Sequence, residues 1–170
     1  KSHLEEQTGF LFLLTGLSVD GSFLAHDGKA GAGMILRRDD GSVIFAAYRV
    51  IFNCNEALEA EIHAIMQGMA LALQHADLPV KVQSDSCNAL SILSSESMFR
   101  SAYGHLVAEI KFCMDEREFV PQKISRTQNR VADCMANYSR TESCTAVWMS
   151  RCPPCCEDLL PLDCNPVSLE

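Results

Sequence analysis

Basic residues are scarce in this 170-residue chain: 14 lysines and arginines stand against 22 aspartates and glutamates, for a net charge of −8. That balance excludes a protein that grips nucleic acid through a broad basic surface. No apolar run approaches the roughly 20 residues needed to span a membrane. The run from Phe10 to Leu14 is too short for a secretory signal and has neither a basic flank nor a cleavage site. Internal repeats and low-complexity blocks are also missing, which argues against a solenoid or a disordered tract. Cysteine is plentiful, with nine residues, yet no second well-spaced pair accompanies the Cys-x-x-Cys of Cys152 and Cys155, with Cys156 and Cys164 nearby. Half of a zinc ribbon is therefore lacking. Cys54, Cys87, Cys113 and Cys134 sit in otherwise regular segments and read as small buried apolar side chains. Asn137-Tyr138-Ser139 matches a glycosylation acceptor but falls in a helical pattern, where chance is the better account. A reducing, intracellular compartment suits this usage, without distinguishing nucleus, cytoplasm or organelle.

What is present describes an ordinary α/β domain. With 48% apolar residues, a chain of this length buries about two thirds of the surface its unfolded form exposes. Its organisation reads as an N-terminal extension over 1–9, one domain over 10–141 and a Cys/Pro-rich tail over 142–170. Residues 10–19 form a buried strand that stops at the turn signal Asp20-Gly21-Ser22. Gly28, Gly31 and Gly33 open a loop, and two β-prone runs flank Asp39-Asp40-Gly41 as a hairpin. From Glu56 to Gln74, Ile62, Ile65, Met66, Met69 and Leu73 recur at helical spacing, with Asn53 or Asn55 as cap. A strand over 80–84 follows, then a short helix over 86–95, a longer one over 99–116 with Leu106, Ile110, Cys113 and Met114 on one side, and a strand over 119–125. Ser125-Arg126-Thr127-Gln128 fits a capping box that opens a last helix carrying Val131, Met135 and Tyr138 inward. Beyond Thr141 the chain loses periodicity and reads as irregular, with one helical turn near Glu157 to Leu160. This order predicts a mixed five-stranded sheet, three strands antiparallel and two parallel, flanked by helices.

Four carboxylates then stand out, two at strand ends (Asp20, Asp85) and two on helices (Glu61, Asp133). Brought together, they would repel by about 4 kcal/mol per close pair at an effective dielectric near 20. A hard divalent cation such as Mg²⁺, which takes oxygen ligands, is the usual counterweight. Part of the negative charge would then belong to a metal site.

Val19-Asp20-Gly21-Ser22-Phe23, Ala60-Glu61-Ile62-His63-Ala64-Ile65-Met66-Gln67-Gly68-Met69, Ser84-Asp85-Ser86 and Asn129-Arg130-Val131-Ala132-Asp133 occur in this order. Together they resemble the ribonuclease H family, above all its plant reverse-transcriptase-like branch, over about residues 14 to 140. The tail residues Val147-Trp148 and Pro153-Pro154 are similar to that branch as well. The resemblance implies hydrolysis of the RNA strand of an RNA–DNA hybrid with two Mg²⁺ ions about 4 Å apart, Mn²⁺ serving as substitute. It also implies Asp20 bridging both ions, Glu61 and Asp85 completing one side and Asp133 the other. Gly21, Ser22, Lys123, Arg126 and Asn129 would lie at the nucleic acid. Glu59, two residues from Glu61, falls on another helix face, whereas Ala64 and Gly68 share the face of Glu61 and would let that helix approach the sheet.

The chain departs from the family at two places. Lys123 stands six residues before Asn129, where many relatives have a histidine that assists proton transfer. A lysine holds phosphate but is a poor proton shuttle near pH 7. The basic, tryptophan-containing handle between the central helices is also missing. Arg37, Arg38, Lys123, Arg126 and Arg130 offer a modest phosphate track, and His3, His26, His63, His75 and His105 read as surface or packing residues. An interaction module of the same fold, derived from a retroelement, is the rival reading. A nuclease with another substrate is a third. Either way, the expected unit is a monomeric domain, alone or within a larger protein.

Overall fold

A computed structural model describes residues 15–164; the expected extension over 1–9, the start of the first strand over 10–14 and the end of the tail lie outside them. The described chain runs β1 (Thr15–Leu24), β2 (Lys29–Arg37), β3 (Val43–Ile51), α1 (Ala57–His75), β4 (Val80–Ser84), α2 (Cys87–Leu90), α3 (Gly104–Glu116), β5 (Phe119–Lys123), α4 (Arg130–Glu142), β6 (Ala146–Met149) and α5 (Leu160–Cys164). Short 3₁₀ turns occupy Ser91–Leu93, Arg126–Gln128 and Pro154–Leu159. The sheet order is β5-β4-β1-β2-β3-β6. β1, β2, β3 and β6 pair antiparallel in succession, while β4 lies parallel between β1 and β5. None of the described helices is long and apolar enough to cross a membrane.

The alternation of β2 sorts its residues between two cores. Ala30, Ala32, Met34 and Leu36 join Leu17, Val19, Ile62, Ile65, Met69, Leu106 and Ile110 on the α1–α3 side. Ile35 joins Val43, Tyr48, Val131, Met135, Cys152 and Cys156 on the α4 side. Of the periodic apolar residues of α1 and α4, Ile62, Ile65, Met69, Val131 and Met135 are buried as their spacing predicts, Met66 and Leu73 are partly buried against the same core, and Tyr138 remains 37% exposed. It meets Tyr48 edge-on at the rim, with ring centroids 5.2 Å apart.

Several local expectations are corrected. β1 does not stop at Asp20 but continues through Gly21 and Ser22 to Leu24, and Gly31 and Gly33 lie inside β2 rather than in a loop. These glycines make room for helices instead of turns. A Cβ on Gly21 would stand 2.4 Å from the backbone of Ala60 and Glu61, and one on Gly33 would stand 2.1 Å from the Ala132 carbonyl oxygen. Gly41, with φ of 88°, does make the expected hairpin turn. Neither Asn53 nor Asn55 caps α1 with its side chain; the cap position is Glu56, and Glu59 accepts the Asn55 N–H at 2.9 Å. The third helix begins at Gly104, not Phe99. The capping box at Ser125 forms, but it opens the 3₁₀ turn ahead of α4.

The tail differs most. Residues 146–149, read as irregular, add a sixth strand to the edge of β3, and Asp163 in α5 caps α4. Its two oxygens accept the N–H groups of Arg130 and Val131, each at 2.9 Å. A carboxylate at a helix N-terminus satisfies otherwise unpaired donors and complements the helix dipole. Arg37, expected on a phosphate track, is instead buried and paired with Asp163 at 3.5 Å.

Candidate metal centre

Parallel pairing of β1 and β4 sets Ser18 opposite Gln83. Asp20 and Asp85 each follow two residues later, so they emerge side by side on strands about 4.8 Å apart. Gly21 allows the backbone of α1 to touch β1 just there, which brings Glu61 alongside; the Gly21 N–H donates to Glu61 Oε2 at 3.2 Å. Ala64 and Gly68 continue this close approach along the same helix, and a Cβ on Gly68 would meet Val19 and Leu17. Asp20, Glu61 and Asp85 each place a carboxylate oxygen within 4.8 Å of the other two.

Asp133 arrives from the opposite face. It sits in the first turn of α4, a helix pressed onto β2 at Gly31 and Gly33. Asn129, just before α4, donates from Nδ2 to the Val19 carbonyl at 2.9 Å and so ties the helix start to the residue preceding Asp20. Its side chain is turned inward and only 1% exposed, and its Oδ1 has no hydrogen-bond partner. Asp133 Oδ1 accepts from Asn137 Nδ2 at 3.3 Å. The side-chain Oδ1 of Asn137 in turn accepts the Ser22 hydroxyl at 2.7 Å, and Arg140 Nε donates to Ser22 Oγ at 2.8 Å. Asn137, the glycosylation-like position, is thus bonded into this network.

The electrostatics are those of uncompensated like charges. Asp20 is 6% exposed; burial first, then the charge of Glu61 and hydrogen bonding with Asp133, push its carboxyl up to about 10. Burial also raises Glu61, to about 7, while its bonds with Asp20 and the Gly21 N–H pull the other way. Their mutual bond raises Asp20 and lowers Glu61, so a proton shared between the two favours Asp20. Among the described residues, the cation paired with any of these carboxylates is Arg126, 3.7 Å from Asp85 with its own side chain 93% exposed, an arrangement that contributes little. Lys123, at the end of β5, donates from Nζ to the Asp85 main-chain oxygen and to the Ile124 carbonyl at 3.3 Å. An all-oxygen, hard donor set with surplus negative charge fits a divalent cation of the Mg²⁺ class.

The sign of the shifts gives a pH prediction. Both folded pKa values lie above their unfolded references, so the stability associated with these groups is full below about pH 4 and is lost as pH rises through about 7 and towards 10. The gap in melting temperature between Mn²⁺-loaded and chelator-treated protein is expected to widen from about pH 5.5 to 8.5. A gap that stays constant across that range in differential scanning fluorimetry would show that these carboxylates do not carry the binding.

Sequence reasoning missed the two supports of α4. The Gly-x-Gly of Gly31 and Gly33 carried a legible signal, since two glycines at period two mark one strand face on which another backbone can rest. Asp163 carried none, being an acidic residue 33 positions from its partner Arg130.

A family model described as "Reverse transcriptase-like" matches residues 18–139. No curated protein sequence matches significantly. Among solved structures, the N-terminal RNase H domain of rv2228c from Mycobacterium tuberculosis superposes with a TM-score of 0.69 at 18% identity, covering 77% of this chain and 96% of that one. LC11-RNase H1, isolated from compost and solved with an RNA/DNA hybrid, gives 0.67 at 20% identity, covering 76% and 98%. Foamy viral protease-reverse transcriptase in complex with an RNA/DNA hybrid gives 0.66 at 14% identity, covering 78% of this chain and 21% of that one.

Proposed function

Since this chain belongs to the reverse transcriptase-like family, with an RNase H-like fold, we propose that it is a metal-dependent endoribonuclease that hydrolyses the RNA strand of RNA–DNA hybrids. The observation that carries this reading is the convergence of Asp20, Glu61 and Asp85 within 4.8 Å, with Asp133 bonded beside them. Two Mg²⁺ ions, or Mn²⁺ in their place, held by these four carboxylates would supply Lewis-acid stabilisation at the scissile phosphate and a more acidic bound water. The protein's part is to hold the carboxylates rigidly. Asp20 is fixed by the sheet, Glu61 by the Gly21 N–H and Asp133 by Asn137. Such preorganisation removes reorganisation cost at the moment charge develops.

The substrate side is polar. Gly16, Ser18 and Asp20 share one face of β1 by strand alternation. Gly16 and Ser18 line a groove of about 270 Å³ in which Lys81, Arg38, Gln83 and Gln128 stand with the carboxylates of Asp39, Asp40 and Asp163. Lys123 and Arg126 flank Asp85. Cations and amides of this kind position a sugar–phosphate backbone without reading sequence. That two of the matched folds were solved with an RNA/DNA hybrid supports a hybrid as the substrate.

Incubating labelled RNA–DNA hybrid, duplex RNA and single-stranded RNA with the protein and Mg²⁺ or Mn²⁺ tests the reading; selective loss of the hybrid is the expected result. Inertness with all three would leave the second reading, a retroelement-derived interaction module. That reading draws on Lys123, whose ammonium is engaged by Asp85 and Ile124 where relatives use a histidine. An ammonium holds phosphate but is a poorer proton shuttle than an imidazole. Turnover is therefore expected to be slow, with a shallow pH dependence between about 6 and 8. Lys123→His is expected to raise the multiple-turnover rate and to add an inflection near the histidine pKa. A variant no faster than a fully active parent would place this side chain outside the reaction.

A further inference from the structure

In three dimensions the cysteines that gather are not the Cys152–Cys155 pair of the Cys-x-x-Cys but Cys155, its neighbour Cys156 and a third from α4. Cys134 on α4 meets Cys155 and Cys156 in the 3₁₀ turn of the tail, and the three sulfurs lie within 4.8 Å of one another. Cys155 and Cys156 are 3.5 Å apart, and Cys134 reaches the Cys155 carbonyl at 3.6 Å. A tetrahedral ion with Zn–S near 2.3 Å sets its sulfurs about 3.8 Å apart, so small rotations of these side chains suffice.

Packing alone does not account for the group. Cys156 is fully buried and Cys152 nearly so, as expected of small apolar side chains, but Cys155 is exposed and Cys134 half-exposed. A thiol directed at two others from an exposed position gains nothing from burial. Glu59, His63 and His105 form a second loose group of potential ligands, but Glu59 already spends an oxygen on the Asn55 N–H.

We propose that Cys134, Cys155 and Cys156 form a three-thiolate site for a soft or borderline cation of the zinc class, which clamps the tail to the helix that carries Asp133. Each thiol releases its proton to solvent as its sulfur takes the ion, and one position of a tetrahedral ion remains for water or an added ligand. The clamp and the Asp163 cap act on the same helix, so binding stiffens α4 from its outer side. This site goes beyond the proposed nuclease reading and does not depend on it.

Titration of the full chain with Co²⁺ in excess Mg²⁺, which occupies oxygen sites, tests the proposal. One equivalent of Co²⁺ is expected to give thiolate-to-cobalt charge-transfer absorption, displaced by Zn²⁺, and Zn²⁺ is expected to protect the two accessible thiols, Cys134 and Cys155, from a thiol-reactive dye. Cys134→Ser and Cys155→Ser, both at partly exposed positions that leave the core intact, are expected to weaken binding by about a hundredfold or more. Cys87→Ser, at an exposed position on α2, should leave it unchanged. Absence of the charge-transfer band in the parent overturns the proposal, as does a band that persists at full affinity in both variants. Repeating the titration with Asp20→Asn separates this site from the carboxylates, because the band should be retained there whether or not the chain cleaves hybrids.

Discussion

Asp20→Asn is expected to lower hybrid cleavage by at least about a thousandfold while the metal-free protein melts at the same temperature or higher. Asp20 is the most buried of the four carboxylates and the one whose carboxyl is pushed furthest up, by burial and by Glu61. An amide keeps its size and its ability to donate to Glu61 but removes a charge that the metal-free fold can hold only with difficulty. Catalysis and stability therefore move in opposite directions, which separates a lost ligand from a lost fold. Single-turnover cleavage rates and melting curves in chelator, for parent and variant, measure both. Cleavage at the parental rate would assign the activity to another site or to a contaminant. A large drop in melting temperature would show that the carboxyl serves the fold.

Gly33→Ala should have the largest effect on stability, about 3 kcal/mol or more of destabilisation, for a different reason. The added methyl would stand 2.1 Å from the Ala132 carbonyl oxygen and 2.7 Å from the Ala136 nitrogen. Both are helix backbone atoms, which no side-chain rotation removes. α4 must move away from β2, carrying Asp133 from Asp20 and straining the Asn129 bond to Val19. For a domain of this size the melting temperature falls by roughly 6–12 °C, with activity falling alongside. Gly104→Ala is the control, since nothing lies within 4 Å of its Cβ; as an alanine at the start of a helix it is expected to be neutral or slightly stabilising. Equal melting temperatures for the two variants would mean that α4 does not rest on Gly33.

Three kinds of information in the chain had different fates. Helix and strand identity rests on local periodicity, and the apolar spacing of Ile62, Ile65 and Met69 or of Leu106, Ile110 and Cys113 was enough to place α1 and α3. Boundaries were less legible, because a glycine pair such as Gly31 and Gly33 signals a turn and a backbone contact equally well, and only the partner helix decides. β6 was invisible for a related reason. Val147 and Met149 are both 49% exposed and only Ala146 and Trp148 face the core, partly buried, so four residues give too short an alternation to read, and what makes them a strand is the hydrogen-bonding edge of β3.

The sequence by itself determined the order of the carboxylates, their placement on two strands and two helices, and therefore the family to which the chain belongs. Those features are local, and each survives in a short segment read alone. Tertiary structure decided the rest: how near Asp20, Glu61 and Asp85 come, that Asn129 and Arg37 turn inward, that Asp163 caps α4, and that Cys134 meets Cys155 and Cys156. Each of these contacts joins residues far apart in the chain, and its geometry depends on how closely two backbones pack. No single segment carries that information.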